Sequence, residues 1–558
     1  MTFLTGAEIV VKLLERQGVK FVSGIPGGSN LPLYHALAQS SQIRHVLARH
    51  EQGAGFIAEG IARSSAQVGV CFATSGPGAT NILTALANAK LDSIPLVCIT
   101  GQVNRNLLGT DAFQEVDTYG ISAPITKHNF LVRSADELTT IIPKAFHLAT
   151  SGRPGPVLID LPKDVQQEKI EISEWPSPGM PDVPPSISLQ KIKQAADLIN
   201  NAKRPVLYLG GGTRTLQAAQ LCEKLATKSN IPAVKTLMAL DVLPTVHPMS
   251  LGILGMHAAP FTNVVLEYAD LIIILGARLN DRTTGAISYF CPKAQIIHVD
   301  IDAAELGKNR IPEIDILGDV SVVLAELLPK IKAQKRSAWR QKVCEIRAQY
   351  PMQPIENAEV QSAYGAILIT ASIAGNDAII TTDVGQHQMR VAQVYPFAKS
   401  QQWLTSGGLG TMGFGLPAAL GAALANPYRK VICFSGDGSL LMNMQEMATA
   451  AEEELCIKVI LFDNKSLGLV GQQQDLFVGQ RFATDYRTQV DFVAIAKGFG
   501  WQAYDLACET NPQQALKSAI QSAKPTLIRI PIAANEHVFP MVKPGSANTD
   551  MIMEMPNV

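Results

Sequence analysis

The sequence predicts an α/β protein built of three doubly wound parallel-sheet domains. Three observations carry this: short apolar runs recur with Gly, Ser, Asp or Asn after them, helical patterns lie between them, and the 558-residue chain is too long for one hydrophobic core. At roughly 100 to 200 residues per domain, the length calls for about three. Hydrophobic residues at 47% against 17% charged describe a well-packed globular chain.

In the first third, Val70 to Ala73 precedes Thr-Ser-Gly-Pro-Gly, Pro95 to Thr100 precedes Gly101, and Pro156 to Leu161 precedes Pro-Lys-Asp. Runs without polar alternation read as buried parallel strands, their carboxyl ends marked by the turns. The unit returns at Val206 to Leu209 before three glycines, at Leu271 to Leu275 before Gly-Ala-Arg, and at Ile296 to Val299 before Asp-Ile-Asp. It appears again at Ala378 to Ile380, Val431 to Phe434, Val459 to Phe462 and Thr526 to Ile530. Helical spacing covers Ala7 to Gln17, Ala79 to Ala89, Leu189 to Asn200 and Met442 to Glu454. Such alternation places ligands at the carboxyl ends of strands.

Two breaks divide the chain. Trp175 to Ser186 contains five prolines, which deny both helix and sheet and mark a linker. Lys330 to Arg347 is rich in Lys and Arg, and Tyr350-Pro351-Met352-Gln353-Pro354 then interrupts it. The expected domains are 1–170, 187–340 and 356–545.

Composition also excludes classes of function. A net charge of -1 and the lack of a basic, aromatic-interleaved stretch argue against nucleic acid. No apolar run reaches the length of a membrane span, and the N-terminus lacks the pattern of a removed presequence, so a cytoplasmic protein with no membrane association is expected. The eight cysteines form no Cys-x-x-Cys pair and read as reduced core residues.

The sharpest motif is Gly436-Asp437-Gly438-Ser439, followed one helix and one strand later by Asp463-Asn464. A diphosphate needs a hard cation, and Mg²⁺ takes oxygens from a carboxylate, an amide and a carbonyl together with phosphate. Asp437 and Asn464 follow apolar strands, so neighbouring strands can bring them together, while the glycines admit the diphosphate to the backbone. Gly-Asp-Gly alone is an ordinary strand-to-helix turn; the spaced Asn464 makes the pattern resemble the thiamine-diphosphate signature. That signature usually has Asn-Asn where this chain has Asp463-Asn464.

Thiamine diphosphate requires a carboxylate from elsewhere to exchange a proton with its aminopyrimidine. Arg49-His50-Glu51-Gln52-Gly53-Ala54-Gly55 ends an apolar strand and opens a small-residue helix that can bury Glu51 against a flat ring. A solvated glutamate at a helix start is the alternative.

This segment resembles the catalytic-glutamate segment of acetohydroxyacid synthase catalytic subunits, and other landmarks of that family follow in order. They are Gly24-Ile25-Pro26-Gly27-Gly28, Thr74 to Asn81, Gly109 to Glu115, Ile159 to Val165, Asp383 to Met389 and Ser406 to Gly415. The resemblance spans about residues 4 to 550 and is greatest to the enteric isozyme I type. It implies decarboxylation of pyruvate and transfer of the two-carbon unit to a second pyruvate or to 2-ketobutyrate, on the route to branched-chain amino acids.

By position, the resemblance implies that Glu51 activates the pyrimidine while Gln386, His387 and Ser439 hold the diphosphate. Gly28, Gly410 and Gly436 adjoin the cofactor, and Met412 sits beneath it. Mg²⁺ falls to Asp437, Asn464 and the carbonyl of Ser466, and Phe113, Gln114, Lys163 and Leu469 to the substrate side. In the middle third, Gly210, Gly211, Gly212, Thr236, Leu237, Met256, His257, Gly276, Arg278, Arg282, Asp300 and Asp319 resemble an FAD site. Relatives read Arg-Phe-Asp-Asp-Arg where this chain has Arg278-Leu279-Asn280-Asp281-Arg282.

Relatives that favour 2-ketobutyrate carry Trp where Gln473 stands, so little preference for it over pyruvate is expected. Arg390 replaces another family Trp, a change the sequence does not explain. The resemblance further implies a homodimer with the active site at the subunit interface, and a small regulatory subunit. Competing readings are a flavin-free catabolic acetolactate synthase, a pyruvate oxidase-like flavoenzyme, and an inactive scaffold of the same fold.

Overall fold

Three six-stranded sheets, each wholly parallel, follow one another along the chain. The computed structural model describes residues 2–352 and 359–555. The first sheet runs Arg44–Leu47, Phe21–Gly24, Gly69–Ala73, Leu96–Gln102, Pro156–Pro162, His128–Leu131 across its width. The third runs Trp403–Leu404, Ile379–Thr382, Val431–Gly436, Ile457–Asp463, Thr526–Pro531, Gln502–Asp505. Numbered by position in each domain, both sheets have the order 2-1-3-4-6-5. The central sheet instead runs 3-2-1-4-5-6, from Ser250–Ile253 through Ala233–Lys235, Pro205–Leu209, Leu271–Leu275 and Gln295–Asp300 to Ile314–Leu317.

The predicted strands all form, most of them one or two residues longer than their apolar runs, because flanking turn residues still pair in the ladder. Two predicted helices are broken. Ala79 to Ala89 divides into Pro77–Asn81 and Leu83–Asp92, and Met442 to Glu454 into Asp437–Asn443 and Glu446–Glu452. The second break follows tertiary contacts that periodicity does not report: the Asn443 amide donates to the Gly413 carbonyl, and Glu446 turns to the backbone of Arg49 and His50.

The edges of the three bodies also shift. Thr2–Thr5 pairs with Lys169–Ile172, so the first body runs past 170. Ser337–Gln349 buries Trp339, Val343 and Ile346 in the central core and carries that body past 340. The expected start at 356 lies outside the described residues. Beyond 545, Met551–Ile552 pairs with Met541–Val542, and Asn548 donates to the Thr283 carbonyl of the central body. Five cysteines are buried, but Cys344, Cys456 and Cys508 are exposed, because they lie on solvent-facing elements outside the apolar runs.

The first and third bodies meet along two helices, Glu51–Ser64 and Gly415–Ala425. Their backbones nearly touch. A Cβ on Gly60 would lie 2.2 Å from the Ala418 carbonyl oxygen, and one on Gly421 would lie 2.0 Å from that of Ile57. Reciprocal glycines thus set the interhelical distance.

Candidate functional site

In a doubly wound sheet, the strands on either side of the point where chain order reverses splay their following loops apart and leave a crevice. In the third sheet that point lies between Ile379–Thr382 and Val431–Gly436. The two loops that follow are Asp383 to Gln386 and Gly436 to Ser439, each opening a helix whose N-terminal N–H groups attract anions.

A cavity of about 250 Å³ occupies this crevice. Gln386, His387, Arg390, Gly410, Met412, Gly436, Asp437, Ser439, Asn464, Ser466 and Leu469 line it. Its polar groups are incompletely satisfied. Asp437 Oδ1 accepts from Gly438 N at 2.7 Å, whereas Oδ2 is buried and has no partner among the described residues. Ser466 Oγ and His387 Nε2 are in the same state. Asn464 Oδ1 accepts from Ser466 N at 3.1 Å, and Ser439 Oγ donates to the Val384 carbonyl at 2.7 Å. Burial, with the Asp463 carboxylate adding to it, pushes the Asp437 carboxyl up to about 7. Burial and the nearby Arg390 charge pull His387 down to about 3, leaving a neutral imidazole.

Orphaned oxygens and an uncharged imidazole suit a metal-bound diphosphate: the donor set is a carboxylate, an amide and a hydroxyl beside main-chain carbonyls, the hard-oxygen chemistry of Mg²⁺. No group of three or more His, Cys, Asp or Glu side chains gathers among the described residues. A divalent ion held by one carboxylate needs no such group.

The family's Asn-Asn is Asp463-Asn464 here, and Asp463 faces a cation rather than the cavity. Arg529 Nη2 lies 2.7 Å from Asp463 Oδ2, and its Nη1 bonds Asp505 at 2.6 Å.

Four residues matter that sequence reading left without a role. Asp383 accepts from Gly413 N at 2.8 Å and from Gly415 N at 3.3 Å, tying the Met412 loop to the sheet, and burial pushes its carboxyl up to about 6. Gln472 is fully buried, accepts from Gln386 Nε2 at 3.1 Å and clamps Val538 from both sides. Glu446 Oε1 accepts from Arg49 N at 2.9 Å and His50 N at 3.0 Å, holding the backbone beside Glu51. The fourth is Arg390. Asp383 stands in a recognised motif and Arg390 directly follows it in place of a Trp, whereas Gln472 and Glu446 act through contacts remote in sequence.

In the first sheet, reversal falls between Phe21–Gly24 and Gly69–Ala73. Gly28 is exposed on the first loop, and Thr74 Oγ1 is buried on the second without a partner among the described residues. Glu51 opens its helix 9% exposed and accepts from Asn81 Nδ2 at 3.0 Å. Gln114 stands in the left-handed region at φ +59°, Lys163 is half-buried at the start of Lys163–Gln167, and Phe113 is 86% exposed. None of these residues lines the cavity of the third body. Gln473, half-buried on Gly468–Phe477, also lies outside it.

The central sheet reverses between Pro205–Leu209 and Leu271–Leu275. There Gly210 to Gly212 and Gly276 pack backbone on backbone, with Gly212 N donating to the Gly276 carbonyl at 2.9 Å. Gly211 and Gly212 are exposed, and Thr236 Oγ1 is buried without a partner among the described residues. Met256 N donates to the Arg282 carbonyl at 2.9 Å, and the Asp300 carboxylate caps the turn at Asp302 N. Leu237 accepts from the Trp403 indole, and burial pulls His257 down to about 4 beside the Pro540 carbonyl. Two expected residues have structural duties: Asp319 caps Val320–Leu327 through Ser321 N and Val322 N, and Arg278 Nη2 bonds the Leu91 carbonyl.

Comparison with known families places the three bodies in order. Residues 4–121 match the thiamine pyrophosphate enzyme N-terminal TPP binding domain, 192–327 the central domain, and 383–530 the C-terminal TPP binding domain. The chain is 57% identical over 551 residues to the acetolactate synthase isozyme 1 large subunit of Escherichia coli (strain K12), covering 99% of this chain and 98% of that one. It is 43% identical over 564 residues to the acetolactate synthase large subunit of Pyropia yezoensis, covering 98% and 95%. Acetolactate synthase 1, chloroplastic, of Zea mays is 42% identical over 569 residues, covering 98% and 89%.

Proposed function

This chain belongs to the thiamine pyrophosphate enzymes and, among them, to the acetolactate synthase large subunits, and from that premise we propose that it decarboxylates pyruvate and joins the two-carbon unit to a second pyruvate or to 2-ketobutyrate. One observation carries the reading for this chain: Asp437 Oδ2, Ser466 Oγ and His387 Nε2, buried and without partners among the described residues, converge on one cavity at a sheet's reversal point.

Thiamine diphosphate, when bound, supplies a carbon nucleophile that attacks the keto carbon and accepts the electron pair released as CO₂ leaves. The protein's part is positioning and proton transfer. Asp437, Asn464 and the Ser466 carbonyl hold Mg²⁺, and Gln386, Ser439 and the neutral His387 bind the diphosphate. Gly410, Gly436 and Gly28 would let backbone approach the cofactor, and Met412 would pack against it. Glu51 exchanges a proton with the aminopyrimidine, its carboxylate oriented by Asn81 and its backbone by Glu446. Lys163, Gln114, Phe113 and Leu469 face the keto acid, where a cation and an amide suit its carboxylate.

FAD falls to the glycine loops of the central body together with Thr236, Leu237, Met256, His257, Arg278, Arg282, Asp300 and Asp319. Joining two keto acids moves no net electrons, so its role is structural. Glu51 lies outside the cavity of its own chain, which supports a homodimer in which each site takes Glu51 from one subunit and Asp437 from the other. The relatives are named large subunits, which supports a small regulatory partner.

Incubation with pyruvate, Mg²⁺, thiamine diphosphate and FAD is expected to yield acetolactate and CO₂, both dependent on thiamine diphosphate. Oxygen consumption without acetolactate would favour a pyruvate-oxidising flavoenzyme, and unreacted pyruvate an inactive scaffold.

A further inference from the structure

The helix Gln386–Val394 presents a third polar side chain, after Gln386 and His387, to the cavity of the third body. Arg390 follows His387 by three residues, so the two share a helix face, and its side chain is 0% exposed. Nη2 donates to the Glu536 main-chain oxygen and stands 3.4 Å from Glu536 Oε1, and the guanidinium lies 5.8 Å from the centre of the Tyr364 ring. Nε and Nη1 are buried and have no partner among the described residues. Of the side chains lining the cavity, Arg390 is the one permanent cation and Asp437 the one carboxylic acid. A divalent ion paired with Asp437 leaves a single positive charge against the several negative charges of a diphosphate.

We propose that Arg390 is a cofactor-binding residue whose Nε and Nη1 donate to phosphate oxygens of the diphosphate, a role that rests on the reading of this cavity as the thiamine-diphosphate site. Nε–H and Nη1–H diverge in the guanidinium plane, so each reaches a separate phosphate oxygen, and the Glu536 carbonyl at Nη2 fixes that plane against the cavity wall.

Calorimetric titration of thiamine diphosphate with Mg²⁺ into cofactor-stripped full-length protein reads the contact without turnover. Arg390→Met is expected to raise Kd about tenfold to a hundredfold, the size of a lost charge-assisted hydrogen bond. Inorganic pyrophosphate, titrated as a competitor, is expected to weaken in parallel, locating the loss at the phosphates. Glu536→Gln releases the guanidinium from a competing carboxylate and is expected to tighten binding several-fold, the deciding result should Arg390→Met not fold. An unchanged Kd in folded Arg390→Met, or in Glu536→Gln, overturns the proposal. A wild-type protein that does not bind thiamine diphosphate overturns the reading of the cavity instead.

Discussion

Two regions of this molecule bury charge, and they do it in opposite ways. Where the first and third bodies meet, Arg63 binds Glu59 and Asp92 and donates to the Thr405 carbonyl. Asn88 donates to Glu59 and accepts from Ser406, and Asp92 accepts from Gly407 N and Gly408 N. None of these side chains has an unpartnered buried atom among the described residues. The cavity of the third body instead leaves atoms of His387, Arg390, Asp437 and Ser466 without partners. Burying a polar group is costly unless it is bonded, so a closed network reads as structure and an open one as a place that awaits a ligand. The contrast separates the two functions of buried polarity in one chain.

The largest loss is expected from Glu51, outside the open cavity but proposed to serve the cofactor held there. Glu51→Gln keeps the shape and removes the proton exchange, and is expected to lower turnover by about 10² to 10⁴-fold while thiamine diphosphate still binds. Steady-state rates together with a binding titration check it; near-wild-type turnover would remove Glu51 from catalysis.

Breaking the closed network has a different signature. Arg63→Met strands two buried carboxylates and is expected to cost about 3 to 5 kcal/mol of stability, read by denaturant unfolding. Equal stability would mean that the cluster relaxes freely.

Asp160 lies between the two cases: it is buried with hydrogen bonds but pairs with no cation among the described residues. Thr100 Oγ1 donates to it at 2.7 Å and Gln102 Nε2 at 3.0 Å, yet burial, with Asp117 adding, pushes it from 3.8 up to about 7. The folded state therefore holds this proton more tightly than the unfolded state, so its contribution is full below about pH 4 and is lost as pH rises towards 7. Asp160→Asn is expected to flatten that fall by on the order of 1 to 4 kcal/mol, visible as the difference between the two pH-stability curves. Parallel curves would contradict it.

The smallest effect concerns the acceptor. Gln473→Trp is expected to raise the acetohydroxybutyrate to acetolactate ratio by roughly 10-fold or more in competition assays. An unchanged ratio would agree with the position of Gln473 outside the cavity and would move specificity elsewhere.

Strands such as Leu271–Leu275 were legible in the sequence because fully buried parallel strands are apolar throughout and stop at turn residues. Asp437 and Asn464 were legible for the same reason: each follows such a strand, and neighbouring strands bring them to one cavity. The breaks at Ile82 and Met444-Gln445 were not legible, since no proline or glycine marks them, and at the second it is tertiary contacts that decide. Glu446, Gln472 and Arg390 escaped for a related reason. Their partners lie far along the chain, and a local pattern carries no trace of a contact between residues 49 and 446.

In the proposed homodimer one cofactor is gripped by Glu51 of one chain and by the Asp437 cavity of the other. Mixing inactive Glu51→Gln with inactive Asp437→Asn under conditions of subunit exchange tests it most directly. In a two-fold symmetric mixed dimer one site receives both substitutions and the other neither, so activity should return to roughly a quarter of the wild-type level. A mixture that exchanges subunits yet stays as inactive as its parents would contradict the claim.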